Sequence, residues 1–136
     1  MPIRHNIDKN SETLIRSMLE QFNLSFAGAD NHRLLSLSID DKGEIMGGLL
    51  GGTYWGYLYL DILVVNEDYR NRGYGSMLLD TAEKTAVDRG CQHATLGTHD
   101  FQGIEFYIKN GYRVAGQLPD LPRGHTKYTL YKKLVT

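Results

Sequence analysis

An apolar strand that runs into a glycine-bearing turn, and from there directly into a helical pattern, most constrains what this chain can fold into. The strand reads Leu58-Tyr59-Leu60-Asp61-Ile62-Leu63-Val64-Val65, and Asn66 to Ser76 carries the turn Arg70-Asn71-Arg72-Gly73-Tyr74-Gly75. Leu78, Leu79, Ala82 and Ala86 then mark one helical stripe, with Glu83 and Lys84 expected to face outward. Arg89-Gly90 offers a basic last turn and a glycine cap. A short β-like segment, 92–97, follows, with Ala94 and Leu96 expected inward. Strand, turn, helix and strand in that order predict a parallel pair joined by a right-handed crossover. The turn presents consecutive backbone N–H groups backed by the positive end of the helix dipole, which suits a phosphate. Gly73 and Gly75 let the backbone approach a ligand where a Cβ would clash, and Arg70 and Arg72 add positive charge at the rim.

Two common phosphate motifs are excluded. No Lys follows Gly75, so the Walker pattern fails, and Leu78 stands where the dinucleotide fingerprint needs a third small residue. What is left, Arg-x-x-Gly-x-Gly, also fits a tight turn with no ligand. The longer block Val64-Val65-Asn66-Glu67-Asp68-Tyr69-Arg70-Asn71-Arg72-Gly73-Tyr74-Gly75 resembles the acetyl-CoA signature of the GNAT superfamily of N-acetyltransferases. A second block, Asp100 to Tyr112, is similar to that family's Asn-x-x-Ala-x-x-x-Tyr-x-Lys-x-Gly-Phe/Tyr pattern. Tyr107, Lys109, Gly111 and Tyr112 match; Asp100 stands in place of Asn and Gly103 in place of Ala. An ionised carboxylate cannot donate a hydrogen bond as an amide does. His99-Asp100-Phe101-Gln102, with Pro122-x-Gly-His125 and the closing Tyr128 to Leu134, is similar to a bacterial subgroup whose substrates are mostly unassigned.

The resemblance implies an α/β fold in one domain over residues 1–136, with a mixed, mostly antiparallel sheet splayed at the acetyl-CoA site and flanked by helices. It implies acetyl transfer from acetyl-CoA to a primary amine, expected on a small molecule, by direct attack in a ternary complex. Pantetheine would pair with the edge freed at Leu63, Val64 and Val65. The pyrophosphate would rest on Arg70, Asn71, Arg72, Gly73, Tyr74 and Gly75, with the Ser76 hydroxyl near. Tyr107 would return a proton to the departing thiolate.

The base is open at this level. Asp61 is anomalous in an apolar strand; a salt bridge or a solvent-facing position explains it as well as a catalytic role, and a base would need burial to raise its pKa. His99 has a better intrinsic pKa, and His125 is a third candidate. Each lone histidine also reads as a hydrogen-bonded loop residue. Two other functions stay open: an acyl-CoA-binding sensor without turnover, and a transferase acting on a protein lysine or N-terminus. A homodimer is a further expectation from the resemblance.

The chain has 136 residues, 41% hydrophobic and 23% charged, with formal net charge −1, a balance that argues against bulk electrostatic binding to nucleic acid. Cys91 is the single cysteine, so no internal disulfide forms. The opening residues lack a secretory h-region and no apolar run is long enough to span a membrane. These features predict a cytoplasmic protein that is not membrane-bound. The five histidines show no metal-ligand spacing.

Residues 3–7 are expected to form a short first strand. Asp8 to Ser11 offer helix caps, and Leu14, Ile15, Met18, Leu19, Phe22 and Phe26 predict an amphipathic helix with one buried face. There is room for little more than one helix where many relatives carry two. Residues 33–40 alternate as a half-buried strand, Asp40 to Gly43 read as a hairpin turn, and Glu44 to Trp55 form a strand with four glycines, whose expected use is strong twist. Leu58, Leu60, Ile62 and Val64 are expected on one face of the next strand, provided no bulge intervenes. Tyr54, Trp55, Tyr57 and Tyr59 read equally as packing, an acceptor wall or a dimer contact. Asp100 is expected to cap a short helix ended by Asn110-Gly111. Val114 to Leu118 and Lys127 to Leu134 close the chain as strands around a stiff two-proline loop.

Overall fold

The computed structural model describes residues 1–135, and the chain divides into two units, Met1–Asp30 and the part from Asn31 onward. In the first, helix α1 spans Lys9–Ala27. Asp8 caps it by accepting from the Ser11 N–H at 2.8 Å, and Gly28, at φ 73°, closes it by donating to the Leu24 carbonyl. The expected strand at 3–7 does not form. The predicted apolar stripe is present, but no residue of α1 is buried: Leu14, Ile15, Met18, Leu19, Phe22 and Phe26 are all exposed.

The second unit is a six-stranded sheet of β1 (Arg33–Asp41), β2 (Glu44–Tyr54), β3 (Tyr57–Val65), β4 (His93–His99), β5 (Arg113–Pro119) and β6 (Thr126–Lys133). The spatial order is β1-β2-β3-β4-β6-β5. Only β3 and β4 pair parallel. The connection between them is α2 (Tyr74–Asp88), as the apolar stripe required, and α3 (Ile104–Lys109) follows β4. Lys42-Gly43 and Trp55-Gly56 make the two hairpin turns, all four residues at positive φ, the conformation that matches strand twist.

One face of the sheet is buried under α2. Leu78, Leu79, Ala82 and Ala86 pack with Leu35, Leu49, Leu58, Leu60, Ala94, Leu96 and Leu130. Glu83 does not face outward. Its carboxylate accepts from the Tyr112 hydroxyl at 2.8 Å and from Lys132 Nζ at 2.7 Å, and Lys132 also donates to the Asn110 carbonyl. This trio ties α2, the end of α3 and β6 together.

A bulge divides β3. Leu50 of β2 sits opposite Ile62 and Gly51 opposite Leu60, so Asp61 has no partner across the ladder. The extra residue reverses the alternation. Leu58 and Leu60 face the core before the bulge, Leu63 and Val65 pack against it afterwards, and Ile62 and Val64 are exposed. The four expected same-face residues are therefore split. The bulge also explains a glycine: a Cβ on Gly51 would collide with the Tyr59 carbonyl oxygen. At Gly48 a Cβ would stand 2.8 Å from the Leu37 carbonyl oxygen. The glycines of β2 thus serve close backbone approach.

Pairing of β3 with β4 ends at Leu60↔Leu96, whereas β4 stays paired with β6 as far as His99. Beyond Leu60 the two parallel strands diverge, and the sheet splays there.

Candidate active site

The divergence opens two adjoining hollows of about 660 and 530 Å³. The first lies between the two strands and is lined by Asp61 and Ile62 on one side and Gly97, Thr98 and Phe101 on the other. The second runs along the turn into α2 and over Phe106. Leu63, Val64, Val65, Arg70, Gln102, Gly103 and Tyr107 line both, so the two form one continuous cleft.

The turn side has the properties that a phosphate needs. Gly73 stands at φ 84° as the N-cap of α2 and supplies no side-chain cap. The first helical hydrogen bond runs from the Met77 N–H to the Gly73 carbonyl at 3.1 Å. The N–H groups of Tyr74, Gly75 and Ser76 precede it and have no partner within the helix. Gly75 packs so close to Phe106 that a Cβ would lie 3.3 Å from the ring. Arg70 is anchored by donating from Nε to the Val65 carbonyl at 2.9 Å, which holds the turn against the end of β3. Leu63, Val64, Val65, Arg70, Asn71, Gly73, Tyr74, Gly75 and Ser76 all line the second hollow. Arg72 does not; its guanidinium lies 5.2 Å over the Tyr69 ring. Tyr69 donates to Asp41 at 2.7 Å, and that hydrogen bond raises its pKa. These residues fit an extended acyl-CoA: an uncapped helix start for the pyrophosphate, and an unpaired strand edge for the pantetheine amides.

Tyr107 stands where the hollows meet. It is buried on α3 with its ring edge-on to Phe106 and Tyr112. Burial pushes its phenol above the usual value of 10.0, so the proton is held at neutral pH, the form a general acid requires.

On the other side of the cleft, Asp61 projects from the bulge and is exposed. It lacks the burial that a carboxylate base would use. His99 is half-buried at the end of β4 and does not line the cleft; its backbone N–H and Nδ1 both meet Gln102 Oε1, at 2.9 and 2.7 Å. Asp100 does not cap α3. The N-cap is Gly103 at φ 84°, without a side-chain bond. The Asp100 carboxylate turns to β6, accepting from the Thr126 N–H at 2.8 Å and meeting His125 Nδ1 at 2.8 Å. The Thr126 hydrogen bond leads in lowering its pKa below 3.8.

Thr98, Phe101, Gln102 and Phe106 are lining residues to which the sequence reading gives no role in the site. Three of the four lie inside the Asp100–Tyr112 block, which was the available signal. The tyrosines near Gly56 divide: Tyr57 stacks on His93 at 4.7 Å, and His93 Nδ1 meets the Tyr131 hydroxyl at 2.8 Å, whereas Tyr54 and Tyr59 line a separate hollow with Asp61. Among the described residues no group of three or more His, Cys, Asp or Glu is placed to hold a metal, and no helix is long and apolar enough to cross a membrane.

Comparison with known proteins agrees with this geometry. A blasticidin-S acetyltransferase of Streptomyces morookaense is 41% identical over 95 residues, covering 69% of this chain and 70% of its own. An acetyltransferase of Agrobacterium fabrum is 34% identical over 127 residues, 93% of each chain. The crystal structure of an acetyltransferase from Bacillus cereus superposes with a TM-score of 0.90 at 33% identity, over 97% of both chains. Residues 5–112 match the acetyltransferase (GNAT) family. On that match, and with a sheet that splays where the family pattern places the acetyl donor, the chain belongs to the GNAT acetyltransferases.

Proposed function

We propose that this protein transfers the acetyl group of acetyl-CoA to a primary amine on a small molecule, by direct attack within a ternary complex. The observation that carries the reading is Tyr107: a buried, protonated phenol at the junction of a phosphate-ready groove and a cleft bearing a carboxylate. Units Met1–Asp30 and Asn31 onward act as one acetyltransferase domain in this reading, because the family match begins at residue 5 and crosses the boundary between them. The relative named for blasticidin S supports a small-molecule acceptor.

When bound, acetyl-CoA supplies the activated thioester. The N–H groups of Tyr74, Gly75 and Ser76 hold its pyrophosphate, with the helix dipole behind them. The unpaired edge of Leu63, Val64 and Val65 aligns the pantetheine and offers a backbone N–H to charge growing on the thioester oxygen. Asp61 draws the acceptor's ammonium group into the cleft. Tyr107 gives its proton to the sulfur as the C–S bond breaks.

The test is thiol release from acetyl-CoA across a panel of small amines and lysine peptides. Cys91 is buried, which keeps its own thiol out of the background. We expect turnover with small amines, and a loss of roughly 10²-fold in Tyr107→Phe with acetyl-CoA affinity preserved. Turnover with peptides alone would move the acceptor to protein. Tight acetyl-CoA binding with silence across the panel would favour a sensor.

A further inference from the structure

The geometry points to His125, oriented by Asp100, as the group that takes the proton from the incoming amine. This assignment rests on the acetyltransfer reading above. Asp100 uses both carboxylate oxygens: Oδ2 accepts from the Thr126 N–H at 2.8 Å and Oδ1 holds His125 Nδ1 at 2.8 Å. One oxygen therefore fixes the start of β6 and the other fixes the ring. The backbone of the histidine is braced as well. Its N–H donates to the Pro122 carbonyl at 2.9 Å and its carbonyl accepts from Leu121 at 3.0 Å. A carboxylate on Nδ1 keeps the proton there and leaves Nε2 as the basic nitrogen. Among the described residues Nε2 has no hydrogen-bond partner, and the side chain is 47% exposed, so a captured proton can pass to water.

His125, like His99, lines neither hollow, so a proton from an amine in the cleft reaches it through water. Phe101 marks how near the pair lies: it lines the cleft with Asp61 and Tyr107, and its ring meets His125 at 4.9 Å, edge to face. His99 stacks on Phe101 at 5.4 Å, but its Nδ1 meets the neutral Gln102 carbonyl oxygen. Of these two histidines, His125 is the one whose ring nitrogen meets a carboxylate, which stabilises the imidazolium that proton capture creates. The charged and titratable groups on the surrounding elements are His99 at the end of β4, Asp100 in the turn after it, Asp120 and Arg123 on the same loop as His125, and Lys127 on β6. The pairing also gives a use to Asp100, the residue that departs from the family's Asn.

The protons balance. Neutral His125 removes one from the ammonium, and the freed lone pair forms the C–N bond as the C–S bond breaks. Tyr107 protonates the sulfur and recovers a proton from the acylated nitrogen. His125 then releases its own to solvent, one per amide formed.

The test uses the amine of the panel that the wild type turns over fastest. His125→Ala should lose about 10²-fold in kcat/KM, with acetyl-CoA affinity unchanged by calorimetry and activity partly restored by added imidazole. Asp100→Asn should also lose activity without imidazole rescue. Its amide can donate to Nδ1, placing the proton on Nε2, where the ring no longer accepts. If His125→Ala does not fold, His125→Gln carries the same comparison of rates. Rates in the variants that superimpose on wild type would overturn the assignment, as would rescue of His99→Ala by imidazole in place of His125→Ala. If the wild type acetylates no amine, the acetyltransfer reading itself fails and this assignment falls with it.

Discussion

At Tyr107 and Tyr112, burial leads in raising both phenols above 10.0, and Glu83 adds to the shift at Tyr112. A group whose folded pKa is raised contributes stability below its unfolded value and loses it as pH climbs past that value. The thermal midpoint should therefore hold up to about pH 10 and fall above it; a midpoint unchanged at higher pH would contradict the burial of these rings. Asp100 has the opposite sign. Its folded pKa is lowered, so its tether of β6 is present above the ordinary carboxylate value of 3.8 and fades as pH drops below it. The short helix that carries Tyr107 was legible in the sequence because its block keeps fixed spacing. The pairing of Asp100 with His125 was not, since 25 residues separate them and only the β4–β6 ladder brings them together. Glu83 was misread for the same reason: helical period placed it off the stripe, while Tyr112 and Lys132 reach it from other elements.

Elements hold the site in shape through contacts of backbone on backbone. The bulge at Asp61 turns Ile62 and Val64 away from the core and lets β3 leave β4 after Leu60. Gly51→Ala would drive a Cβ into the Tyr59 carbonyl, so either the bulge shifts or the strands part. We expect a loss of about 1–3 kcal/mol in chemical denaturation and lower turnover, because Asp61 moves with the bulge. At the start of α2, Gly73→Ala forces a side chain into φ 84°, at a cost of about 1–2 kcal/mol. It should weaken acetyl-CoA binding more than it lowers the thermal midpoint. Glu83→Gln leaves Lys132, with a side chain only 26% exposed, short of its counter-charge, and should destabilise by about 2–3 kcal/mol without changing acetyl-CoA affinity. The strands, α2 and its buried stripe could be read from period and turn residues. The bulge could not, because a period-two pattern of Leu, Ile and Val looks alike on a strand apolar on both faces.

For the molecule as a whole, the sequence carried the order of elements from α1 onward and the place where the sheet opens. It did so through two motif blocks that flank the cleft from opposite strands. It said less about α1. The spacing of Leu14, Ile15, Met18, Leu19, Phe22 and Phe26 specifies an apolar stripe, but periodicity names a face and not what covers it, and the stripe is exposed in the chain. The central claim concerns the splay: the acetyl donor lies along the freed edge of β3, with its pyrophosphate on the first turn of α2. A crystal structure with coenzyme A tests it most directly. The account predicts phosphate oxygens within about 3 Å of the N–H groups of Tyr74 to Ser76, and the thiol end beside Tyr107. Coenzyme A bound elsewhere, or with its thiol remote from Tyr107, would contradict it.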